Sequence, residues 1–362
     1  MWEQGRTFPW TRPLGGNIRV HEYIKQFTLA TREVYARLSH TPPNQMRKAF
    51  AVVAVLSVGI VSACVAANSA GTRQDIVTLV THSSPGGGSD VFLRTMAPHL
   101  SRIMKKTVVV DNMQGGSGAR AMAVLASAKP DGGMFYATTP TFIYTSLMSR
   151  PSATYQDLEP LVNMFYDPEV LFTAADSKYA TLQQVLDHAR SGSGKWGAAN
   201  PASLERQTMQ RLKQKAGVNP AIATFEGGGD MLINVLNHTL DMGIGELQEM
   251  RGQLDAGHLR LLAVVGEERM SQFPQVPTAK EEGIDLAVRK FRGLAGPKGT
   301  PPDVIAAWET AVRALLDDPE YKKLYTEDGL LPGFIPHAEY IPFMNEFGRQ
   351  TADFLKESGV IK

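Results

Sequence analysis

Val77-Thr78-Leu79-Val80-Thr81, then Pro85-Gly86-Gly87-Gly88-Ser89-Asp90, then a helical pattern with Leu93, Met96, Ala97, Leu100, Ile103 and Met104 on one face: this stretch decides the fold. The same three parts follow at once as Val108-Val109-Val110, Gly115-Gly116-Ser117-Gly118 and a helix from Ala119 to Ala128. Strand, glycine turn and helix in that order build a parallel sheet, and each turn delivers a helix N-terminus to the sheet's C-terminal edge. Unpaired N–H groups and the positive end of the helix dipole favour an anion there. Three successive glycines cost backbone entropy that a plain turn does not require, so close approach of a ligand to bare backbone accounts for the excess. The two turns are read as a grip for a carboxylate. Asp90 either accepts from a ligand hydroxyl or ammonium or simply faces the helix dipole.

Outward from this stretch, strand and helix signals alternate as far as Gly266, the mark of α/β construction. Met134 to Thr139 reads as a third strand that brings Thr139 to the same edge. Leu161 to Tyr166 and Val170 to Ala174 read as strands parted by Asp167-Pro168, a crossing between lobes. A second set of units repeats the theme, with turns at Asn200-Pro201-Ala202-Ser203 and Gly227-Gly228-Gly229-Asp230 and strands at Leu240 to Ile244 and Leu259 to Val265. Leu286 to Leu294 reads as an extended return, and the rest reads as helical, with Thr300 as a cap and Pro301 in the first turn. That tail is expected on the first lobe, which makes the first domain discontinuous. Pro98, inside the first helix, predicts a kink or a helix broken in two.

Composition narrows the function. The chain has 362 residues, enough for two domains, and its 37 basic against 36 acidic residues make no field for nucleic acid or an anionic membrane. Gly116-Ser117-Gly118-Ala119-Arg120-Ala121 matches the dinucleotide fingerprint, yet the strand after it ends without an acid for a ribose. Ser117 misses the hydrolase elbow by one residue and has no motif-linked base. The eight histidines show no metal-binding spacing. These observations favour a binding protein over an enzyme, with no metal or cofactor.

The N-terminal region carries an export signal that does not start at residue 1. Arg47 and Lys48 precede an apolar run from Ala49 to Ala63, too short to span a membrane comfortably, and small residues follow it. The expected start is Met46, with 1–45 as upstream sequence or an extension and 46–64 as a signal peptide. Val61-Ser62-Ala63-Cys64 resembles a lipobox, which would lipidate Cys64; the alternative is cleavage near Ala67 or Ala70. Either way the mature chain is expected in the periplasm.

The glycine loops and the order of units resemble the Bug, or TctC-like, extracytoplasmic solute receptors of tripartite tricarboxylate transporters. The marks are Pro85 to Asp90 with Arg94, Val110-Asp111-Asn112 leading into Gly115 to Gly118, and Lys129-Pro130-Asp131-Gly132-Gly133. Further marks are Phe225 to Gly229, Gly257 to Val264, Val276-Pro277-Thr278 and Gly296 to Pro301. The resemblance implies a two-lobe periplasmic binding protein, a Venus flytrap of type II form. The lobe boundaries read from the chain are 74–167 with 292–362 for the first lobe and 168–291 for the second. The ligand implied is a di-, tri- or aromatic carboxylate, held by Pro85, Gly86, Gly87, Gly88, Ser89, Asp90, Gly115, Gly116, Ser117, Gly118 and Thr139. From the second lobe, contacts would come from Ser203, Gly228, Gly245 and Glu246. The partners implied are the ligand and the membrane permease subunits, for a monomer that binds no nucleic acid. A sensor in place of the permease uses the same fold and stays open as an alternative. Glu226 and Glu205 stand where many members have Lys and His, and Gly115-Gly116-Ser117-Gly118 stands for Gly-Ala-Gly-Gly. A closing hinge is expected near Asp167-Pro168 and Phe291-Arg292-Gly293.

Overall fold

The computed structural model describes residues 75–362; the expected leader and Cys64 lie outside the described residues. Two sheets carry the fold. In the first, β1 (Ile76–Thr81) lies between β2 (Thr107–Asn112) and β3 (Met134–Thr138), all three parallel. β10 (Lys290–Pro297), β4 (Leu158–Asp167) and β11 (Leu331–Ile335) extend it antiparallel, giving the order β11-β4-β10-β3-β1-β2. The second sheet has the order β7-β6-β8-β5-β9, built from β5 (Glu169–Ala174), β6 (Lys195–Ala199), β7 (Ala221–Phe225), β8 (Met242–Glu246) and β9 (Leu259–Val264).

Helices cover both faces of each sheet, as buried parallel strands demand. On the first sheet, α1 (Gly88–Met104), α8 (Pro302–Asp317) and α9 (Pro319–Glu327) enclose a core that includes Leu79, Leu93, Phe165 and Trp308. The opposite face takes α2 (Ala119–Ser127), α3 (Pro140–Ser149) and α10 (His337–Glu357) around Tyr136, Phe142 and Phe291. On the second sheet, α4 (Leu182–Arg190) and α5 (Leu204–Lys215) pack around Trp196, and α6 (Gly228–Leu236) and α7 (Leu247–Asp255) pack around Phe172 and Met231. The C-terminal helices therefore return to the first sheet.

Several expectations are corrected. α1 runs unbroken through Pro98, because Pro98 and Arg94 lie on its exposed face, where the carbonyl left without its partner reaches water. The tail is not all helical: β11 caps the edge of the first sheet, although its Pro332 and Gly333 hide a strand from propensity. Pro140–Ser149 is a helix opened by Pro140 after the polar edge of β3. Thr300 is not a cap; its hydroxyl donates to the Pro297 carbonyl at 2.7 Å, and Pro301 takes the cap position. The chain leaves the first sheet at Pro168, between β4 and β5, and re-enters it at Lys290, with a register shift between Arg292 and Gly293.

Candidate functional site

The first turn is held by its own side chains. Asp90, the third residue of α1, accepts from the Gly86 N–H at 2.9 Å through Oδ2, and from Arg94 Nε and Asn112 Nδ2 at 2.8 Å each through Oδ1. Asn112, at the end of β2, also donates to the Ser83 carbonyl at 3.0 Å. Both Asp90 oxygens are thus engaged, and the residue shapes the turn.

The glycines answer to local geometry. Gly86 has φ of +80°, a Cβ on Gly87 would collide with Ser83 Oγ, and one on Gly88 would collide with Glu246 and Arg292. In the second turn Gly115, Gly116, Ser117 and Gly118 all have positive φ, so a left-handed path by itself calls for glycine. Pro85, Gly86 and Gly116 are exposed, whereas Gly87 to Asp90, Ser117, Gly118 and Thr139 are buried. The surplus of glycine therefore needs no ligand to explain it. Behind Gly118, Tyr136 Oη lies 2.7 Å from His82 Nδ1, and burial holds His82 down at about 4, hence neutral.

Turns from the second sheet close over these two. Ala202 N–H donates to Ser117 Oγ at 3.3 Å, and Thr145 Oγ1 donates to the Ser117 carbonyl at 2.7 Å. Ser203, next to Ala202, is the N-cap of α5 and accepts from the Arg206 N–H at 3.0 Å. Gly227 packs against Ser84, and Gly229 faces the Pro85 carbonyl. Most telling, the Gly88 N–H at the start of α1 donates to the carboxylate of Glu249, from the first turn of α7. That carboxyl group lies directly over Gly228 and Gly245, where a Cβ would have to push it aside.

Beside the Gly88 turn lies a buried cluster of charge that the sequence reading missed. Lys290 and Arg292, spaced two apart on β10, project to one face of the strand. The Lys290 ammonium contacts the carboxylates of Glu205 and Glu246 and stands 3.8 Å from Glu169. Arg292 pairs with Asp167, lies 3.6 Å from Glu246 and donates to Ser89 Oγ at 3.2 Å. All six charged side chains are at most 6% exposed. Asp167 and Glu169 flank Pro168, so the charges sit on both strands that join the sheets.

Protonation follows from these contacts. Burial, with Glu205 adding to it, pushes the Glu169 carboxyl well above the ordinary range. Burial would also raise Glu205, but the Lys290 charge and hydrogen bond outweigh it and hold Glu205 low. Burial lifts Glu249 to about 8 against the pull of the Gly88 N–H. Of the predicted residues, the fold brings Gly88, Ser89, Ser117, Ser203, Gly228, Gly245 and Glu246 together; Pro85, Gly86 and Gly116 stay at the surface. The one signal for the missed cluster was the run of three cations, Arg289, Lys290 and Arg292, inside the otherwise apolar extended stretch 286–294.

Residues 92–360 match the family model described as "Tripartite tricarboxylate transporter family receptor", TctC. The chain belongs to this family. A relative in Cupriavidus necator, the "UPF0065 protein in gbd 5'region", is 27% identical over 291 residues, covering 79% of this chain and 88% of the relative. The structure is similar to that of periplasmic binding protein BugD, with a TM-score of 0.75, 22% identity, and coverage of 80% of this chain and 99% of that one. It is also similar to an R. palustris protein solved with adipate, with a TM-score of 0.73, 23% identity, and coverage of 80% and 98%. The receptor thus has the two-lobe fold of periplasmic binding proteins, and its family consists of solute-binding proteins, not enzymes. Among the described residues, no helix is long and apolar enough to cross a membrane.

Proposed function

We propose that this receptor captures a small carboxylate in the periplasm, at the cleft between its lobes, and delivers it to the membrane subunits of a tripartite tricarboxylate transporter. The observation that carries the reading is the Glu249 carboxyl oxygen on the Gly88 N–H: the first turn donates to a carboxyl group by its own geometry. In this reading a ligand carboxylate replaces Glu249 at Gly88, and Ser89, Ser117 and the turns at Ser203 and Gly228 close over it. Asp90 acts by fixing the turn. The lobes, 74–167 with 292–362 and 168–291, hinge at Pro168 and at the start of β10. Export rests on the 46–64 leader, with Cys64 as its lipid anchor, and the receptor works as a monomer. Family membership and the adipate-bound neighbour support the choice of a carboxylate.

A ligand that binds only the folded state raises the melting temperature with its concentration, so a thermal-shift screen of carboxylates tests this reading. At least one carboxylate is expected to stabilise the wild type and to lose its effect in Gly88→Val, whose side chain would strike Glu246 and Arg292. A screen in which no carboxylate shifts the wild type contradicts the proposal.

A further inference from the structure

The elements of the two sheets also meet at the surface, away from the glycine turns. α9 packs on the first sheet and ends at Glu327, where the carbonyls of its last turn have lone pairs to spare and carry the negative end of its dipole. Two donors from the second sheet's side reach them. Arg251 Nη1, on α7, donates to the Glu327 carbonyl at 2.6 Å, and Gln272 Nε2, in the segment after β9, donates to the Thr326 carbonyl at 2.5 Å. Asp255, one turn further along α7, steadies the guanidinium by accepting from Arg251 Nε at 3.2 Å. Just past α9, Gly329 lies so close to Met270 that a Cβ would strike it. A cavity of about 610 Å³ lies between these contacts and the strands that join the sheets, lined by Pro168 and Arg289 together with Met270, Gln272, Gly329 and Leu331. The contacts therefore act at a distance from the pivot.

We propose that Arg251 and Gln272 form a closure latch: positioning residues that hold the lobes together from outside the cleft and so set how tightly the solute is kept. The inference rests on the carboxylate reading above and adds to it the residues that hold the closed arrangement. α7 ties the latch to the site, because its neighbouring residues engage three separate parts of the first lobe. Gln248 Nε2 donates to Asp167 Oδ2 at 2.8 Å, Glu249 meets Gly88, and Arg251 meets α9. When a solute carboxylate takes the place of Glu249 at Gly88, α7 gives up that contact, and Gln248 and Arg251 keep it docked. Rotation about the joining strands shifts α7 against α9, and hydrogen bonds at 2.5 and 2.6 Å do not survive a shift of about 1 Å or more. The latch is thus made only at this lobe angle. On opening, Arg251 keeps Asp255 as its partner and is left with no bare charge. Added stability of the closed state enlarges the binding-competent fraction, which tightens apparent affinity with no contact to the solute.

The test joins two measurements on the full chain. Isothermal titration with succinate, adipate and benzoate gives affinity. Pulsed spin-label distances between Gln183→Cys on α4 and Ala307→Cys on α8, both exposed, give the lobe angle, with Cys64→Ser to remove the only other cysteine. Arg251→Ala and Gln272→Ala should each weaken the tightest-bound of the three acids about three- to tenfold and deplete the closed peak of the distance distribution. Arg251→Lys, which keeps the charge, should retain most of the affinity. Asp255→Ala, which removes only the pair within α7, should bind like the parent, and circular dichroism checks folding. A double variant at Arg251 and Gln272 with the parent's affinity and distances overturns the latch. So does an Asp255→Ala variant as weak as Arg251→Ala, which would place the effect in α7 itself. If none of the three acids binds the parent, that failure belongs to the carboxylate reading, and the distances decide the latch: an unchanged distribution in the double variant overturns it, and loss of the closed peak supports it.

Discussion

The turn at 85–90 and the cluster around Lys290 are in contact, yet they are built in opposite ways. The turn is local: a carboxylate from Asp90 reaches back four residues to Gly86 and forward four to Arg94, and the binding group is a backbone N–H. The cluster is assembled from β4, β5, α5, β8 and β10, and every group in it is a buried ionisable side chain. The local half is robust, because most of its parts come from one stretch of chain and the rest from Asn112 on the adjacent strand. The distant half depends on each partner's presence, since a buried charge without its counterion has no water to fall back on.

Substitutions sharpen that contrast. Lys290→Met should cost about 3–5 kcal/mol in urea denaturation near neutral pH, because it leaves Glu205 and Glu246 uncompensated. The loss should shrink in acid, where the carboxyls protonate; an equal loss at both pH values would show that packing and not charge is at stake. In the turn, Gly86→Ala should cost about 1–2 kcal/mol, set by the φ of +80° alone, since a Cβ there meets no neighbour.

Proton linkage gives the next effect. Burial raises Glu249 to about 8 from an ordinary 4.5, with Glu205 and Asp167 adding to the rise and Gly88 and Arg292 opposing it. The folded state then holds a proton that the unfolded chain has lost, so this stability is full below the unfolded value and is lost as pH rises through about 8. Glu169 acts with the same sign. Urea midpoints from about pH 6 to about pH 9 should fall with pH, by at most about 1.4 kcal/mol per unit for one proton, and Glu249→Gln should flatten the curve. Smallest is Arg94→Ala, within about 1 kcal/mol, because the arginine is half exposed and its pair with Asp90 is screened. A loss as large as that of Lys290→Met would erase the distinction between the two regions.

The same distinction explains what could be read from the sequence. Strand, turn and helix units such as 77–104 announce themselves by apolar period and glycine, and the two-lobe fold follows from their order. Pro98 and β11 misled because the decisive facts, solvent beside a helix and an open sheet edge, are tertiary. At the site, Gly88 and Ser117 were legible because each sits in a glycine turn that opens a helix, whereas Ser203 and Glu246 entered only through the family resemblance. Asp167 and Arg292 were read as parts of the two hinge segments, Lys290 as part of an extended run, and Glu249 not at all. None carries a local pattern that says it is buried against charges more than a hundred residues away, as Arg292 is against Asp167.

The central claim is that the first turn takes the ligand's carboxylate through the Gly88 N–H in place of Glu249. Amide spectra of ¹⁵N-labelled, deuterated receptor, titrated with the tightest carboxylate from the thermal screen, test it directly. Saturable shifts are expected at Gly88 and Ser89, with Gly257, on an exposed turn far along the chain, unmoved. A ligand that saturates the receptor while the Gly88 and Ser89 amides stay in place would contradict the account.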